Sequence, residues 1–318
     1  MSILAIIAGL VLLIWGANRF VASASEIARL FNISPLLIGM IIIGFGTSAP
    51  ELLMSSLAAW QGASDLALAN VLGSNIINIG LILGLTAIIC PITVQSGIVR
   101  KEIPFLCFCG CLVGWQLFDL NITRLDAFVL LGVFAVFLWY SIYQSARYQE
   151  DSLCADVENR VPETRSSKFS LWFFLLASLA GLLIGSRLLV WGAIHIATLL
   201  GVSELIIGLT IVALGTSLPE LTTSVIAALR KEPDLAIGNV LGSNIFNLLV
   251  VVGAAAMVSP MSSVAPQFLY REWPAMMLLP LLLVAVCFKK NGDGRISRLE
   301  GAILVVAVLA YNVYILLA

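Results

Sequence analysis

The chain consists of long apolar stretches that are separated by short polar breaks. Apolar runs of about 20 residues are typical of membrane-spanning helices, whereas an outer-membrane barrel shows strands of about 10 residues with alternating hydrophobicity. The runs predict ten spans, at residues 2–24, 33–59, 65–89, 103–118, 125–146, 169–194, 202–229, 234–258, 274–288 and 299–317. The pattern therefore predicts an all-α polytopic membrane protein.

The apolar pattern and the motifs within it occur twice, with an offset of 169 residues. Residues 46–78 and 215–247 are identical at 20 of 33 positions without a gap. Each half contains five predicted helices, so the second half must cross the membrane in the opposite direction. We therefore predict ten transmembrane helices in two inverted-topology five-helix repeats, residues 1–146 and 169–318, joined by a cytoplasmic linker at residues 147–168.

The positively charged residues mark one side of the membrane. Lysine and arginine are enriched in cytoplasmic loops. Thirteen of them fall in alternate breaks on one side: Arg29, Arg100, Lys101, Arg147, Arg160, Arg165, Lys168, Arg230, Lys231, Lys289, Lys290, Arg295 and Arg298. Only Arg124 and Arg271 fall in breaks on the other side. We expect a multi-pass protein of the cell inner (plasma) membrane with both termini outside.

The composition agrees with this class of protein. Of the 318 residues, 60% are hydrophobic and only 11% are charged, against roughly 25% charged residues in soluble domains. The net charge of −1 and the scattered basic residues do not indicate nucleic-acid binding. The six cysteines lie mostly within apolar runs and are interpreted as small packing residues. The lipid bilayer is the expected partner.

The repeated region centres on a glutamate that follows a proline inside an apolar run. Glu51 ends the sequence GTSAPE, and Glu220 ends the sequence GTSLPE. Proline lacks the backbone N–H group, so Pro50 leaves the carbonyl of Gly46 without its helical partner. Such a break is tolerated in a membrane only inside protein or beside a polar cavity. The pattern therefore indicates a polar site within the membrane.

The oxygen atoms around these glutamates form a candidate cation site. Hydroxyl and amide groups recur at helical spacing near each carboxylate. The set comprises Glu51, Thr47, Ser48, Ser74 and Asn78 with Glu220, Thr216, Ser217, Ser243 and Asn247. These oxygens match the roughly 6–8 hard ligands that calcium prefers, and no soft ligand for zinc or copper lies nearby. Four further asparagines, Asn70, Asn75, Asn239 and Asn244, are expected to form hydrogen bonds between helices.

The central helices supply no positive charge of their own. No lysine or arginine lies between residues 40 and 78 or between residues 208 and 229. An ionised carboxylate in the membrane is costly, and two close together also repel each other. Bound cations are therefore expected to neutralise the two glutamates.

At these residues the chain resembles a known family. GTSAPE with GSNIINIG in the first half, and GTSLPE with GSNIFNLL in the second, are similar to the two α repeats of the calcium/cation antiporter superfamily. Within it, the chain most resembles the prokaryotic sodium/calcium exchangers, and the resemblance covers nearly the whole chain. It implies a ten-helix secondary antiporter that exchanges calcium for sodium by alternating access. Such a protein is not an enzyme, needs no cofactor and is expected to function as a monomer.

The resemblance also implies roles for particular residues. Calcium would bind to Glu51 and Glu220 together with the backbone oxygens of Thr47 and Thr216. Sodium would bind to two sets, Gly44, Thr47, Ser48 and Ser74 in one half and Ala213, Thr216, Ser217 and Ser243 in the other. The first and sixth helices would slide across the remaining helices and so expose the site to either side.

Other functions stay open at this point. Some members of the superfamily carry an aspartate at one central amide position, but here Asn78 and Asn247 are both asparagine. The site then has at most two negative charges, which keeps a proton-coupled or potassium-dependent calcium exchanger as the alternative. A cation channel is disfavoured because two halves of one chain complete the site. An intramembrane enzyme is disfavoured because the core lacks a serine–lysine or paired-aspartate arrangement.

Three further features have more than one interpretation. Residues 289–300 resemble the calcium loop of an EF-hand, but lysine occupies the first position, so we interpret them as a cytoplasmic turn before the last helix. His195 is interpreted as an interfacial residue and not as a proton relay. Arg187 falls deep within the sixth span and is expected to extend towards the membrane surface or to pair with a carboxylate.

Overall fold

Helices make up most of the computed structural model, which describes residues 1–94, 98, 100–152, 168–201, 213–287 and 294–317. The helices of the first half are α1 (Ser2–Leu30), α2 (Pro35–Ile38), α3 (Gly44–Thr47), α4 (Ala49–Trp60), α5 (Ser64–Ile77), α6 (Gly84–Ile89), α7 (Glu102–Gln116) and α8 (Arg124–Ser152). Those of the second half are α9 (Lys168–Leu199), α10 (Ala213–Thr216), α11 (Leu218–Leu229), α12 (Pro233–Phe246), α13 (Val252–Val258), α14 (Trp273–Cys287) and α15 (Arg298–Leu317). Short π-helical segments are Gly39–Ile43, Asn78–Leu83, Asn247–Val251 and Phe268–Glu272, and Leu117–Asp119 is a 3₁₀ turn. Two strands, β1 (Ile92–Val94) and β2 (Gly294–Ile296), pair antiparallel.

Eight continuous helices in the described part of the chain are long and apolar enough to cross a membrane. Two helical segments, Pro35–Thr47 and Ala49–Trp60, meet at a 47° bend and bring the number to nine if they form one broken span. The seventh predicted span, residues 202–229, contains α11, but its residues 202–212 lie outside the described residues. Large apolar side chains such as Trp115 are exposed, as expected for contact with lipid. A multi-pass helical architecture is confirmed, while the count of ten stays a prediction.

Several helices extend beyond the predicted spans. The first helix continues to Leu30, the fifth continues to Ser152 within the predicted linker, and a π-helical segment beginning at Phe268 leads into α14. The sequence QSARYQE after the apolar part of α8 is rich in good helix formers. Helix propensity therefore continues past the hydrophobic run, which is why hydropathy alone places these ends too early.

Each of the two proline motifs is a break between two short helices. Ser48 separates α3 from α4 with φ −84° and ψ 10°, and Ser217 separates α10 from α11 with φ −92° and ψ 8°. Pro50 and Pro219 lie in the first turn of the helix that follows. Proline is favoured there because its missing N–H group needs no helical acceptor. The sequence motif thus ends one helix and begins the next at the same point in both halves.

The two halves fold alike, and the sequence offset is preserved in the structure. The helices α4 and α11 start at residues 49 and 218, and α5 and α12 start at residues 64 and 233. The amide of Asn75 donates to the carbonyl oxygen of Asn244 (3.3 Å), and the amide of Asn244 donates to the carbonyl oxygen of Asn75 (3.5 Å). Reciprocal contacts of this kind relate the described parts of the two halves by a pseudo-two-fold axis between α5 and α12.

Two long helices, α1 and α9, pack closely along each other through glycines. A Cβ atom on Gly9 would lie 2.7 Å from the carbonyl oxygen of Gly185, and one on Gly16 would lie 2.9 Å from the backbone nitrogen of Leu182. Small residues allow this close approach of backbones in membrane helices. Buried residues of this pair belong to a hydrophobic cluster that is separate from the larger core around α5 and α12.

Further contacts hold α1 against α9 at both ends. The Ser2 hydroxyl lies 2.9 Å from Nδ1 of His195, and the guanidinium of Arg19 lies 4.1 Å above the ring of Phe174. Both are contacts between the two helices and not with the central core. This position of His195 agrees with its interpretation as an interfacial residue.

The last helix begins with a capping box. The Glu300 carboxylate accepts a hydrogen bond from the Ser297 N–H group (2.6 Å), and the Ser297 hydroxyl accepts one from the Glu300 N–H group (3.4 Å). In an EF-hand loop the residue at the position of Glu300 would be the bidentate calcium ligand, but here Glu300 caps the N-terminus of α15. Residues 294–296 pair with β1, which supports the interpretation of this described part as a turn before the last helix.

Candidate cation site

The two glutamates lie in the first turns of α4 and α11, directly after the two breaks. Both Glu51 and Glu220 are only 1% exposed, and they lie close enough to repel each other. Neither takes part in an ion pair with any described residue. An ionised carboxylate at this depth in a membrane costs several kcal/mol, about 2.5–3.5 on insertion scales. The site therefore requires positive charge that the described residues do not supply.

Each glutamate is approached by a serine from the opposite half. The hydroxyl of Ser48 donates to Oε1 of Glu220 at 3.0 Å. Ser217 lies beside Glu51 in the matching position, although its hydroxyl makes no hydrogen bond of normal geometry with a described residue. The two breaks thus face each other, and each contributes to the surroundings of the other carboxylate.

Several buried oxygen atoms at this centre have no hydrogen-bond partner among the described residues. They are Glu51 Oε2, Glu220 Oε2, Asn78 Oδ1, Asn247 Oδ1 and Ser217 Oγ. Buried polar atoms are almost always paired, so a group of unpaired oxygens requires an explanation. Hard oxygen donors suit calcium or sodium and do not suit zinc or copper. The unpaired oxygens therefore make this centre a candidate site for such a cation.

The orientation of the two central amides is fixed by asparagines of the opposite half. The Asn78 Nδ2 group donates to Oδ1 of Asn244 (3.0 Å), and the Asn247 Nδ2 group donates to Oδ1 of Asn75 (3.1 Å). Because the nitrogen atoms are held in this way, the Oδ1 atoms of Asn78 and Asn247 are left free. The expectation that Asn75 and Asn244 bond between helices is confirmed.

A second pair of asparagines anchors the glutamate backbones. Asn70 donates to the carbonyl oxygen of Glu51 (3.2 Å), and Asn239 donates to that of Glu220 (3.1 Å). Each also donates at 2.8 Å to the serine hydroxyl four residues after that glutamate. These bonds link α4 to α5 and α11 to α12, which confirms the expected role of Asn70 and Asn239.

The two threonines of the motifs differ in their surroundings. Thr47 is fully buried, and its hydroxyl donates to the carbonyl oxygen of Ile43 at 3.0 Å. Thr216 is partly exposed and lines a cavity of about 900 Å³. The same cavity is bordered by Pro50 and by the part of α9 between residues 183 and 194. Both motifs therefore border the cavity, the first through Pro50 and the second through Thr216, while Thr47 stays buried.

One serine of the second half contacts the first motif. The Ser243 hydroxyl donates to the carbonyl oxygen of Gly44 at 3.2 Å, while the implied sodium set of Gly44, Thr47, Ser48 and Ser74 stays a prediction. The hydrogen bond forms because α12 packs against α3, so that a Cβ atom on Gly44 would lie 2.8 Å from the Ser243 nitrogen. The related helices α5 and α10 are also in contact. Ser74 is buried on α5, and the side chain of Ala213 lies outside the described side chains.

Sequence reasoning missed one residue beside the second motif. The carbonyl of Gly215, which Pro219 leaves without its helical donor, accepts a hydrogen bond from the Ser186 hydroxyl of α9 at 2.7 Å. The repeat gave no signal for this contact because the corresponding residue in α1 is Ala17. One of the carbonyls expected to be free for a cation is therefore bound to the long helix α9.

Two buried carboxylates and inward-facing amide oxygens within a polytopic helical protein are typical of membrane cation transporters. Comparison with known sequences gives the family. The family model described as "Sodium/calcium exchanger protein" matches residues 1–143 and 170–317, so the chain belongs to this family, within the calcium/cation antiporter superfamily. The family supports a cation/calcium antiporter, and its known relatives are transporters and exchangers.

Known relatives align over nearly the full chain. The protein CaxA of Alkalimonas amylolytica is 43% identical over 309 residues, covering 96% of each protein. The inner membrane protein YrbG of Escherichia coli is 35% identical over 313 residues, covering 96% of this chain and 95% of YrbG. The solved structure of the sodium-calcium exchanger NCX_Mj soaked with zero Na⁺ and Ca²⁺ superimposes with a TM-score of 0.82 at 30% identity, covering 97% of both chains.

Proposed function

We propose that the protein is a secondary antiporter that exchanges calcium for sodium across the membrane by alternating access. The observation that carries this proposal is the group of buried, unpaired oxygens on Glu51, Glu220, Asn78 and Asn247. Two carboxylates without a protein counter-charge balance the two charges of one calcium ion. Membership of the exchanger family and the likeness to the NCX_Mj structure support this choice of ions.

The proposed ligands follow from the oxygens that face the centre. Calcium binds between the two carboxylates, together with the Oδ1 atoms of the central asparagines and the backbone oxygens of the motif threonines: Glu51, Glu220, Asn78, Asn247, Thr47 and Thr216. Sodium binds in two flanking sets that cross the halves, Gly44, Thr47 and Ser48 with Ser243, and Ala213, Thr216 and Ser217 with Ser74. The hydrogen bond between Ser243 and Gly44 supports this crossing.

Alternating access is proposed to come from movement of α1 and α9 as one unit. The glycine contacts hold these two helices together, and their buried side chains share with Ala227 of α11 and Leu235 of α12 a hydrophobic cluster that is distinct from the larger core. Sliding of the pair would close the cavity beside Thr216 and open an equivalent path beside Thr47. The present arrangement corresponds to the state in which the second motif is accessible.

The remaining architecture is proposed as follows. Residues 1–146 and 169–318 form two inverted five-helix repeats with ten spans in all, and residues 147–168 form the linker. The positively charged breaks support a cytoplasmic linker with both termini outside. The likeness to an inner membrane protein supports the cell inner membrane as the location. Because one chain supplies both halves of the site, we propose that a monomer is sufficient for transport.

The test is uptake of radioactive calcium into sodium-loaded proteoliposomes. We expect uptake that depends on the outward sodium gradient, and a fall to the level of empty liposomes in Glu51→Gln and in Glu220→Gln, since each variant removes one ligand charge. Asp119→Asn is the matched control, because it makes the same carboxylate-to-amide change at an exposed turn. The control is expected to transport like the wild type.

Two further gradients separate the proposal from its alternatives. Proteoliposomes loaded with sodium-free acidic buffer, or with potassium in addition to sodium, test proton coupling and potassium dependence. Calcium uptake that is driven by the pH gradient alone, or that requires potassium, would contradict simple sodium exchange. Normal transport by both glutamate variants would show that the site is elsewhere.

A further inference from the structure

Arg187 is a charged residue at an unusual depth. It lies on α9, 12 residues before the end of that helix at Leu199, which corresponds to about 18 Å at 1.5 Å per residue. Its side chain is exposed and lines the cavity of about 900 Å³ that also reaches Thr216. An ionisable residue inside a membrane is expensive to place and usually has a function.

The charge of Arg187 is not balanced by the described part of the protein. The ion pairs formed by described residues do not include Arg187, and the other described residues that line the cavity are uncharged. A guanidinium stays ionised under these conditions, so it must be solvated. The arginine therefore places a positive charge in the cavity that borders the second motif.

The position related to Arg187 by the repeat has an uncharged side chain. The residue 169 positions earlier is Asn18 on α1, whose Oδ1 atom accepts a hydrogen bond from Arg230 at 3.2 Å. The arginine beside Asn18 is thus engaged in a hydrogen bond, whereas Arg187 takes part in no ion pair with a described residue and lines the cavity.

We propose that Arg187 is a selectivity-determining residue that weakens calcium binding relative to sodium binding while the cavity is open. This inference rests on the proposed function of the adjoining site. Coulomb repulsion scales with the charge of the ion, so a fixed positive charge disfavours a divalent ion twice as much in energy as a monovalent one. At about 10 Å in water, one unit charge changes affinity about twofold for a monovalent ion and about fourfold for a divalent ion. The face that carries the arginine therefore favours sodium binding and calcium release.

The test is equilibrium binding to the purified full-length protein in detergent. Calcium affinity is measured directly by calorimetry, and sodium affinity is measured by competition, for the wild type, Arg187→Gln and Arg187→Lys. We expect Arg187→Gln to bind calcium about fourfold and sodium about twofold more tightly per ion, and Arg187→Lys to resemble the wild type. Added choline chloride should reduce the difference, because the Debye length falls to about 3 Å at 1 M salt.

Arg19→Gln is the matched control, since Arg19 is an exposed arginine on α1 that stacks on Phe174 and does not line the cavity. Unchanged affinities in Arg187→Gln, equal shifts for both ions, or the same shifts in Arg19→Gln would overturn the inference. Sodium-driven calcium uptake by the wild type is measured in parallel. Its absence would refute the proposed function, whereas normal uptake with unchanged Arg187→Gln affinities would refute only the role of Arg187.

Discussion

Individual asparagines decide where the free oxygens of this site point. An amide has one acceptor and two donors, so its oxygen can face a cation only if its nitrogen is satisfied elsewhere. In this protein Asn244 and Asn75 accept the donors of Asn78 and Asn247, each from the opposite half. These outer asparagines form no described hydrogen bond with a carboxylate, yet they orient the amide oxygens that would bind the cation. Residues of this kind commonly affect metal affinity nearly as much as the ligands do.

The first prediction concerns Asn244→Ala. The substitution removes the acceptor that holds the Asn78 amide, so the amide can rotate and its oxygen no longer faces the centre in every molecule. We expect calcium affinity to fall by about 10- to 100-fold, as for other outer-shell ligands. Calorimetric titration of the purified variant measures the change. Asn75→Ala should have a similar effect because of the reciprocal geometry, and wild-type affinity in both variants would contradict it.

The residues of the site were predictable from the sequence to different extents. Glu51 and Glu220 could be identified because an acid beside a proline in an apolar run is rare and occurs here twice. The hydrogen bond from Ser243 to Gly44 could not be predicted. Nearness in the sequence favours partners within one half, whereas the packing of α12 against α3 brings these two residues of different halves together. No sequence pattern indicated Ser186, because its hydrogen bond depends on which carbonyl of another helix lies opposite its hydroxyl.

At the scale of helices, breaks and tight packing occur at different places. The central helices α3, α4, α10 and α11 are short and are interrupted at the binding residues, whereas α1 and α9 are long and continuous. The π-helical segments that begin at Asn78 and Asn247 add local irregularity where the amides face the site. Hydropathy predicted the spans but not these irregular turns, since apolar content is the same in α and π segments. Long continuous helices therefore lie beside the interrupted helices that carry the candidate site.

The contact between α1 and α9 gives a prediction for Gly185→Ala. The new Cβ atom would lie 2.8 Å from the backbone nitrogen of Leu13, which cannot move aside as a side chain could. We expect a loss of stability of about 1–3 kcal/mol, typical of overpacking, together with slower exchange. Thermal unfolding in detergent and calcium uptake measure the two effects.

Gly132→Ala on α8 is the matched control for this substitution. A Cβ atom at Gly132 meets no other atom within 4 Å, and alanine favours helix by about 0.5–1 kcal/mol over glycine. This control should be at least as stable as the wild type and should transport normally. Equal behaviour of the two variants would argue against a close α1–α9 contact.

At the scale of the whole molecule, the two motif threonines differ in exposure. The cavity reaches Thr216, while Thr47 is fully buried in the related position of the first half. The two threonines share one sequence motif, so this difference comes from the helices packed around each of them.

Thiol labelling tests this asymmetry. We expect Thr216→Cys to react with a membrane-impermeant maleimide from the side of the cavity, and Thr47→Cys to remain unlabelled from that side. Labelling is measured above the background of the native cysteines in the wild type. Equal labelling of both variants from one side would contradict the difference in exposure between the two threonines.

The reciprocal asparagine bonds have a consequence for biogenesis. While the ribosome is still synthesising the second half, the first half already contains Asn75, Asn78 and Glu51 without Asn244, Asn247 and Ser217. Unsatisfied polar groups are costly in hydrocarbon, so an isolated first half is a poor product of membrane insertion. We therefore expect the first half, expressed alone, to insert less stably than the full chain, because its central polar groups gain their partners only when α12 is present.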